Sequence, residues 1–102
     1  MALSRRSDPS LLILVSLAEG PKHGYALTKD IEEFAGASLG PGTLYGAIAR
    51  LEQRGLIEAL PADDRRNPYQ LTTAGAVALR EELDRAAATA ALGLRRLEAG
   101  PT

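Results

Sequence analysis

The sequence has no cysteine and no tryptophan, and only one histidine, one methionine and one phenylalanine in 102 residues. Without cysteine there is no disulfide, no iron–sulfur cluster, no thiol nucleophile and none of the usual structural zinc sites. The single histidine, His23, leaves almost nothing for imidazole catalysis or a histidine-held metal, and the carboxylates lack calcium-loop spacing. An excess of one charge is missing too: 12 basic residues face 13 acidic ones. That balance excludes a histone-like polycation, which holds nucleic acid by bulk charge. The longest apolar run, 11–18 with Ser16 inside it, falls far short of the roughly 20 residues of a membrane span. Arg5 and Arg6 precede it as they would in a signal peptide, yet Glu19-Gly20-Pro21-Lys22 reads as a turn and not as a small-residue cleavage site. The expectation is a soluble cytoplasmic protein with no membrane partner, no cofactor and no metal.

What is there is enough for one small globular domain. A hydrophobic share of 45% is too high for a disordered chain. A core this small gains much from association into a dimer. Asp8-Pro9 opens a first helix, with Asp8 as N-cap and Pro9 at the first helical position. Leu11, Leu12, Ile13, Leu14, Val15, Leu17 and Ala18 then cover nearly every face, so one side is expected to meet its own core and the other a partner. A second helix begins at Gly24-Tyr25, with Leu27, Ile31 and Phe34 as its buried stripe and Gly36 as its stop. A third runs from Gly40-Pro41 to Gly55 and buries Leu44, Ile48 and Leu51. Its other surface carries Thr43, Gly46, Ala49, Arg50, Gln53 and Arg54.

Residues 56–60 and 68–71 read as two short strands around a polar turn that contains Asp63, Asp64, Arg65 and Arg66. Thr72 or Thr73 caps a last helix to about Glu98, in which Leu79, Leu83, Ala86 or Ala87, Ala90, Leu94 and Leu97 form a helix-pairing seam. The predicted fold is mainly α with a small β-hairpin: a winged helix-turn-helix over 1–72, a dimerisation helix over 73–98 and a flexible tail over 99–102. In such an arrangement the third helix offers a narrow polar ridge to a DNA major groove, where base edges carry a readable pattern of donors and acceptors. Lys22 and His23 stand just before the N–H groups that open the second helix, a natural phosphate site. Arg65 and Arg66 fall on the hairpin turn, within reach of the flanking backbone or minor groove.

Four stretches together resemble the PadR family of transcriptional regulators. They are Gly20-Pro21-Lys22-His23-Gly24-Tyr25; Pro41-Gly42-Thr43-Leu44-Tyr45; Arg50-Leu51-Glu52 followed by Gly55-Leu56-Ile57; and Tyr69, Leu71, Thr72 and Gly75. The resemblance covers about 11–97, and the single helix after the hairpin is similar to the smaller subgroup. It implies a homodimeric repressor on a near-palindromic double-stranded DNA operator, released by a small molecule. Carried over by position, Lys22, His23, Tyr25, Thr43, Tyr45 and Arg50 become DNA contacts, with Arg65 and Arg66 on the wing. A small apolar effector at the dimer interface would be lined by Leu11, Leu14, Leu83, Ala86, Ala87 and Ala90.

The chain departs from the family pattern at Gly40, where Ser is frequent, at Gly46, where Pro is common, and at Ala49, where a basic residue is frequent. It also lacks the aromatic side chain that some small members place midway along the final helix to stack flat drugs. Over 41–72 the bases Arg50, Arg54, Arg65 and Arg66 are matched by Glu52, Glu58, Asp63 and Asp64. That balance keeps open an alternative, a winged-helix protein-interaction module without DNA binding. An enzyme is not expected: there is no activated-nucleophile motif, no phosphate loop and no partner for His23.

Overall fold

The computed structural model describes residues 8–62 and 67–101. Helix α1 spans Pro9–Leu17, α2 Gly24–Ala35 and α3 Pro41–Gln53; strands β1 (Ile57–Ala59) and β2 (Tyr69–Leu71) follow, then α4 (Thr73–Ala99). This is the predicted class, mainly helical with one antiparallel hairpin and a long final helix.

Asp8 caps α1 as expected, its Oδ1 accepting from the Ser10 N–H at 3.1 Å, and Pro9 occupies the first turn. Leu12, Ile13, Leu14, Ser16 and Leu17 are buried, and Leu11 and Val15 are half-buried. Ala18, just after the helix, is exposed. The helix lies at the centre of the chain and touches α2, α3, α4 and β2, so the protein's own elements cover most of its apolar surface.

In α2 the buried stripe is Leu27, Ile31 and Ala35, with Gly24 buried one turn earlier. Phe34, expected inside, is 46% exposed. At 3.6 residues per turn, positions 24, 27, 31 and 35 define the buried arc and place 34 on its rim. There Phe34 closes a shallow surface cleft with Val15 and Ala18. Gly36 ends the helix in the left-handed region at φ 64°, its N–H reaching the Glu32 carbonyl at 3.0 Å.

Helix α3 buries Leu44, Ile48 and Leu51 as predicted, and Ala47 besides. The hairpin is shorter than its predicted strands, pairing Ile57 with Leu71, Glu58 with Gln70 and Ala59 with Tyr69. The chain also makes a pairing that spacing does not suggest. The Lys22 N–H donates to the Tyr69 carbonyl at 3.0 Å, and the Tyr69 N–H returns a bond to the Lys22 carbonyl at 2.9 Å. The turn after α1 thereby acts as a minimal third strand beside β2.

Thr72 caps α4 and binds it to the sheet in one motif. Its Oγ1 accepts from the Gly75 N–H at 3.0 Å and donates to the Gly55 carbonyl at 2.7 Å, while its own N–H donates to the Leu56 carbonyl at 3.1 Å. Only Gly75 and Leu79 of α4 are buried. From Leu83 to the end of the helix every side chain is exposed. The helix has 27 residues, about 40 Å at 1.5 Å per residue, and most of its length projects from the body as an arm. Among the described residues no helix is long and apolar enough to cross a membrane.

Candidate nucleic-acid interface

The outer surface of α3 carries no core function. With Leu44, Ala47, Ile48 and Leu51 turned inward, Gly42, Thr43, Ala49, Arg50, Gln53 and Arg54 are all exposed. Thr43, Gly46 and Arg50 share one face at spacings of three and four. A Cβ on Gly46 would lie 3.5 Å from Arg50 Nη1, so the guanidinium extends back over Gly46. An alanine at position 46 would meet it only in ordinary van der Waals contact.

Beside this face, the starts of α2 and α3 and the hairpin enclose an open cleft of about 620 Å³. His23, Tyr25 and Tyr45 line it, joined by Thr28, Asn67 and Tyr69; all three tyrosines of the chain therefore converge here. Gly24 makes the convergence possible. A Cβ there would meet Tyr45 Oη at 2.4 Å and Cζ at 3.0 Å, so the Tyr45 ring tip rests on bare backbone at the start of α2. His23 occupies the N-cap position of α2 without a side-chain cap bond. The N–H groups of the first turn consequently receive no acceptor from it. Tyr25 is exposed, with Lys29 Nζ 5.9 Å from its ring centroid, within cation–π range. Burial, the charge of Glu52 and the neighbouring Tyr45 together hold the Tyr69 phenol above its ordinary pKa of 10.0.

Of the eight residues expected to meet DNA, the structure gathers His23, Tyr25 and Tyr45 in the cleft and sets Thr43 and Arg50 on the adjoining helix face. Lys22 goes elsewhere. Its ammonium points into the body, donates to the Ser16 carbonyl and lies 2.8 Å from Glu19 Oε1 and 3.8 Å from Asp30 Oδ2. Arg65 and Arg66 lie outside the described residues. Tyr69 was absent from the expected contacts, although it belongs to the motif quoted above. Its place in the cleft follows from its pairing with Ala59 and Lys22, which local sequence spacing does not encode.

The six residues expected around an effector fall on α1 and α4. Leu11 and Leu14 line a cleft of about 340 Å³ with Leu51, Leu56 and Ala78. Leu83, Ala86, Ala87 and Ala90 are exposed farther out along α4.

The transcriptional regulator PadR-like family matches residues 13–81, a span holding all of the helix-turn-helix, the hairpin and the root of α4. The chain belongs to the PadR-like family. Its members are transcriptional regulators, not enzymes. Transcriptional regulator Rv3488 of Mycobacterium tuberculosis is 38% identical over 81 residues, covering 76% of this chain and 75% of that protein. An uncharacterized 37.1 kDa protein in transposon TN4556 of Streptomyces fradiae is 47% identical over 78 residues. The match covers 76% of this chain and only 23% of the Streptomyces protein. Among solved structures, a transcriptional regulator from Clostridium thermocellum superposes with a TM-score of 0.77 at 27% identity, covering 92% of this chain and 97% of the other. A PadR family regulator from Clostridium difficile gives 0.76 at 25% identity, covering 85% and 95%. RosR from H. salinarum gives 0.73 at 30% identity, covering 81% and 76%. The PadR winged helix is thus the fold of this chain, and DNA-binding regulation is the activity its family implies.

Proposed function

We propose that this PadR-like protein is a homodimeric, sequence-specific repressor of the cytoplasm, with 1–72 as its DNA-binding unit and 73–98 as its dimerisation helix. The observation that carries the proposal is the division of α3: four residues buried in the core and a continuous exposed face led by Thr43 and Arg50. A helix so divided is held rigidly by the body while its outer face remains free to enter a major groove. Arg50 is the candidate base-reading residue, since a guanidinium presents the paired donors that match guanine. His23, Tyr25 and Tyr45 border the uncapped start of α2, where N–H groups and phenol hydroxyls suit a backbone phosphate. Arg65 and Arg66, placed by sequence between the strands, complete the proposed contact set. Lys22 is left out of it.

Dimerisation rests on the exposed leucines of the α4 arm. A small apolar effector would be lined by Leu11 and Leu14 of α1 and by Leu83, Ala86, Ala87 and Ala90, which are exposed on α4 where a second arm could cover them. Ligand release would act by changing the spacing of the two α3 helices, which must match one turn of DNA.

The test is fluorescence-anisotropy binding to a duplex from upstream of the protein's own gene, against a scrambled duplex of equal length. The native duplex is expected to win clearly, and Arg50→Ala to weaken it by about 5- to 150-fold. Equal affinity for both duplexes would sink the proposal. Because charges balance over 41–72, a second reading is a protein partner on the same surface, favoured by absence of binding to either duplex.

A further inference from the structure

Lys22 joins three parts of the protein that are far apart in sequence. Its backbone pairs with Tyr69 in both directions, at 3.0 and 2.9 Å, and so fixes one side of the hairpin. Its side chain runs the opposite way, to the Ser16 carbonyl near the end of α1, to Glu19 and to Asp30 in the middle of α2. Asp30 is held in turn by the Ser16 hydroxyl, which donates to its Oδ2 at 2.6 Å. The Lys22 side chain is 13% exposed, and Ser16 is fully buried. An ammonium has three N–H donors; here one goes to the Ser16 carbonyl, Glu19 pairs with the ammonium at 2.8 Å, and Asp30 at 3.8 Å acts through its charge, beyond hydrogen-bond reach. To reach a phosphate it would have to abandon all three partners and leave the Ser16 carbonyl and the Asp30 carboxylate underpaired, which is costly for partly buried groups.

We propose that Lys22 is a positioning residue, a latch that sets where the hairpin stands relative to α2 and α3 and so determines how the wing meets the DNA flanking the α3 contact. Asp30 is its anchor. The proposal rests on the DNA-binding reading for its consequence but not for the latch itself. A charged residue directly before a helix-turn-helix invites the simpler assignment to phosphate. The two assignments predict opposite effects of neutralising Asp30. If Lys22 were a phosphate ligand, Asp30→Asn would release the ammonium, remove a negative charge from the protein and tighten DNA binding. If Lys22 is the latch, Asp30→Asn loosens the hairpin and weakens binding, as Lys22→Met does.

Two measurements on the full chain decide between them. Without DNA, thermal unfolding of Lys22→Met, Asp30→Asn and the double variant is expected to show coupling: the double loses clearly less than the sum of the singles. With the upstream duplex, well below every unfolding midpoint, Asp30→Asn should bind roughly 1.5- to 5-fold more weakly, as for loss of an ion pair, and Lys22→Met, which also loses the Ser16 hydrogen bond, more weakly still. Hydroxyl-radical protection should disappear at the outer flanks and persist in the centre, a pattern that general loss of stability does not produce. Additive unfolding effects, tighter binding by Asp30→Asn, or flanks still protected in both variants would each overturn the latch. A native chain that cannot tell the two duplexes apart would overturn the DNA-binding reading and, with it, the wing's role; the unfolding cycle would then still decide whether the latch exists.

Discussion

Tyr69 illustrates how one side chain records its surroundings. Its backbone joins Lys22 and Ala59, and its ring stands in the cleft with Tyr25 and Tyr45. Burial first, then the Glu52 charge and the neighbouring Tyr45, disfavour the phenolate. The folded protein therefore keeps this proton above the pH at which an unfolded tyrosine, near 10.0, gives its proton up. Once pH exceeds that value, the unfolded state binds fewer protons than the folded one, and stability falls as pH rises further. We expect Tyr69→Phe to flatten this alkaline loss, measured as urea midpoints at neutral pH and above the tyrosine range. Comparing ultraviolet titrations of the native protein and Tyr69→Phe should assign a late-ionising phenol to Tyr69. Lys22 teaches a complementary lesson. Its position before α2 was legible in the sequence, but the direction of its side chain was not. Asp30, a carboxylate two turns into that helix, and the carbonyl of Ser16 determine it.

Between elements, close approaches to bare glycine backbone set the geometry. Gly75 is the closest of them: a Cβ would fall 1.9 Å from the Leu56 carbonyl oxygen, so the first turn of α4 rests directly on the entry to β1. Gly24 is also close, but its neighbour is the ring tip of Tyr45 at 2.4 Å, and a ring on an exposed surface can swing away. Alanine should therefore act differently at the two sites. Gly75→Ala should cost about 2 kcal/mol or more, because backbone has to move, and should lower the melting temperature by roughly 8 °C or more. Gly24→Ala should change the melting temperature little and weaken DNA binding by displacing Tyr45. Calorimetry of the two variants side by side checks the contrast; similar melting losses would refute it. The same scale explains what periodicity missed. Phe34 and Ala35 both fit a helical repeat around Leu27 and Ile31, and the burial of Gly24 one turn earlier centres the interior arc on Ala35 and leaves Phe34 at its rim.

Taken whole, the molecule is 61 Å long and 27 by 20 Å across, a compact winged helix with a projecting arm. Leu83, Leu92, Leu94 and Leu97 are exposed on that arm, Leu97 at 80%. Four leucines in water on a helix with little of the body behind it are a cost that pairing with a second copy would relieve. We expect the melting temperature of the native protein to rise with protein concentration, as linkage to association requires. Leu94→Asp with Leu97→Asp should abolish that rise and shift sedimentation to the single-chain mass. A melting temperature independent of concentration over a hundredfold range in the native chain would count against the pair.

The sequence by itself determined the helices, the hairpin, the caps at Asp8 and Gly36 and, to within one residue, the cap of α4, because these follow from local spacing, proline and glycine placement and hydrogen bonding within a few residues. It also determined which side of α3 is buried, since a repeat of three and four residues defines a face without reference to neighbours. Tertiary structure alone decided how much of α1 its own chain covers, that Tyr69 joins Tyr25 and Tyr45, and that the Lys22 ammonium turns inward. Each of these depends on groups in different parts of the chain, six positions apart for Lys22 and Ser16 and far more for α1 and α4, and no local pattern states which distant partner a surface will meet.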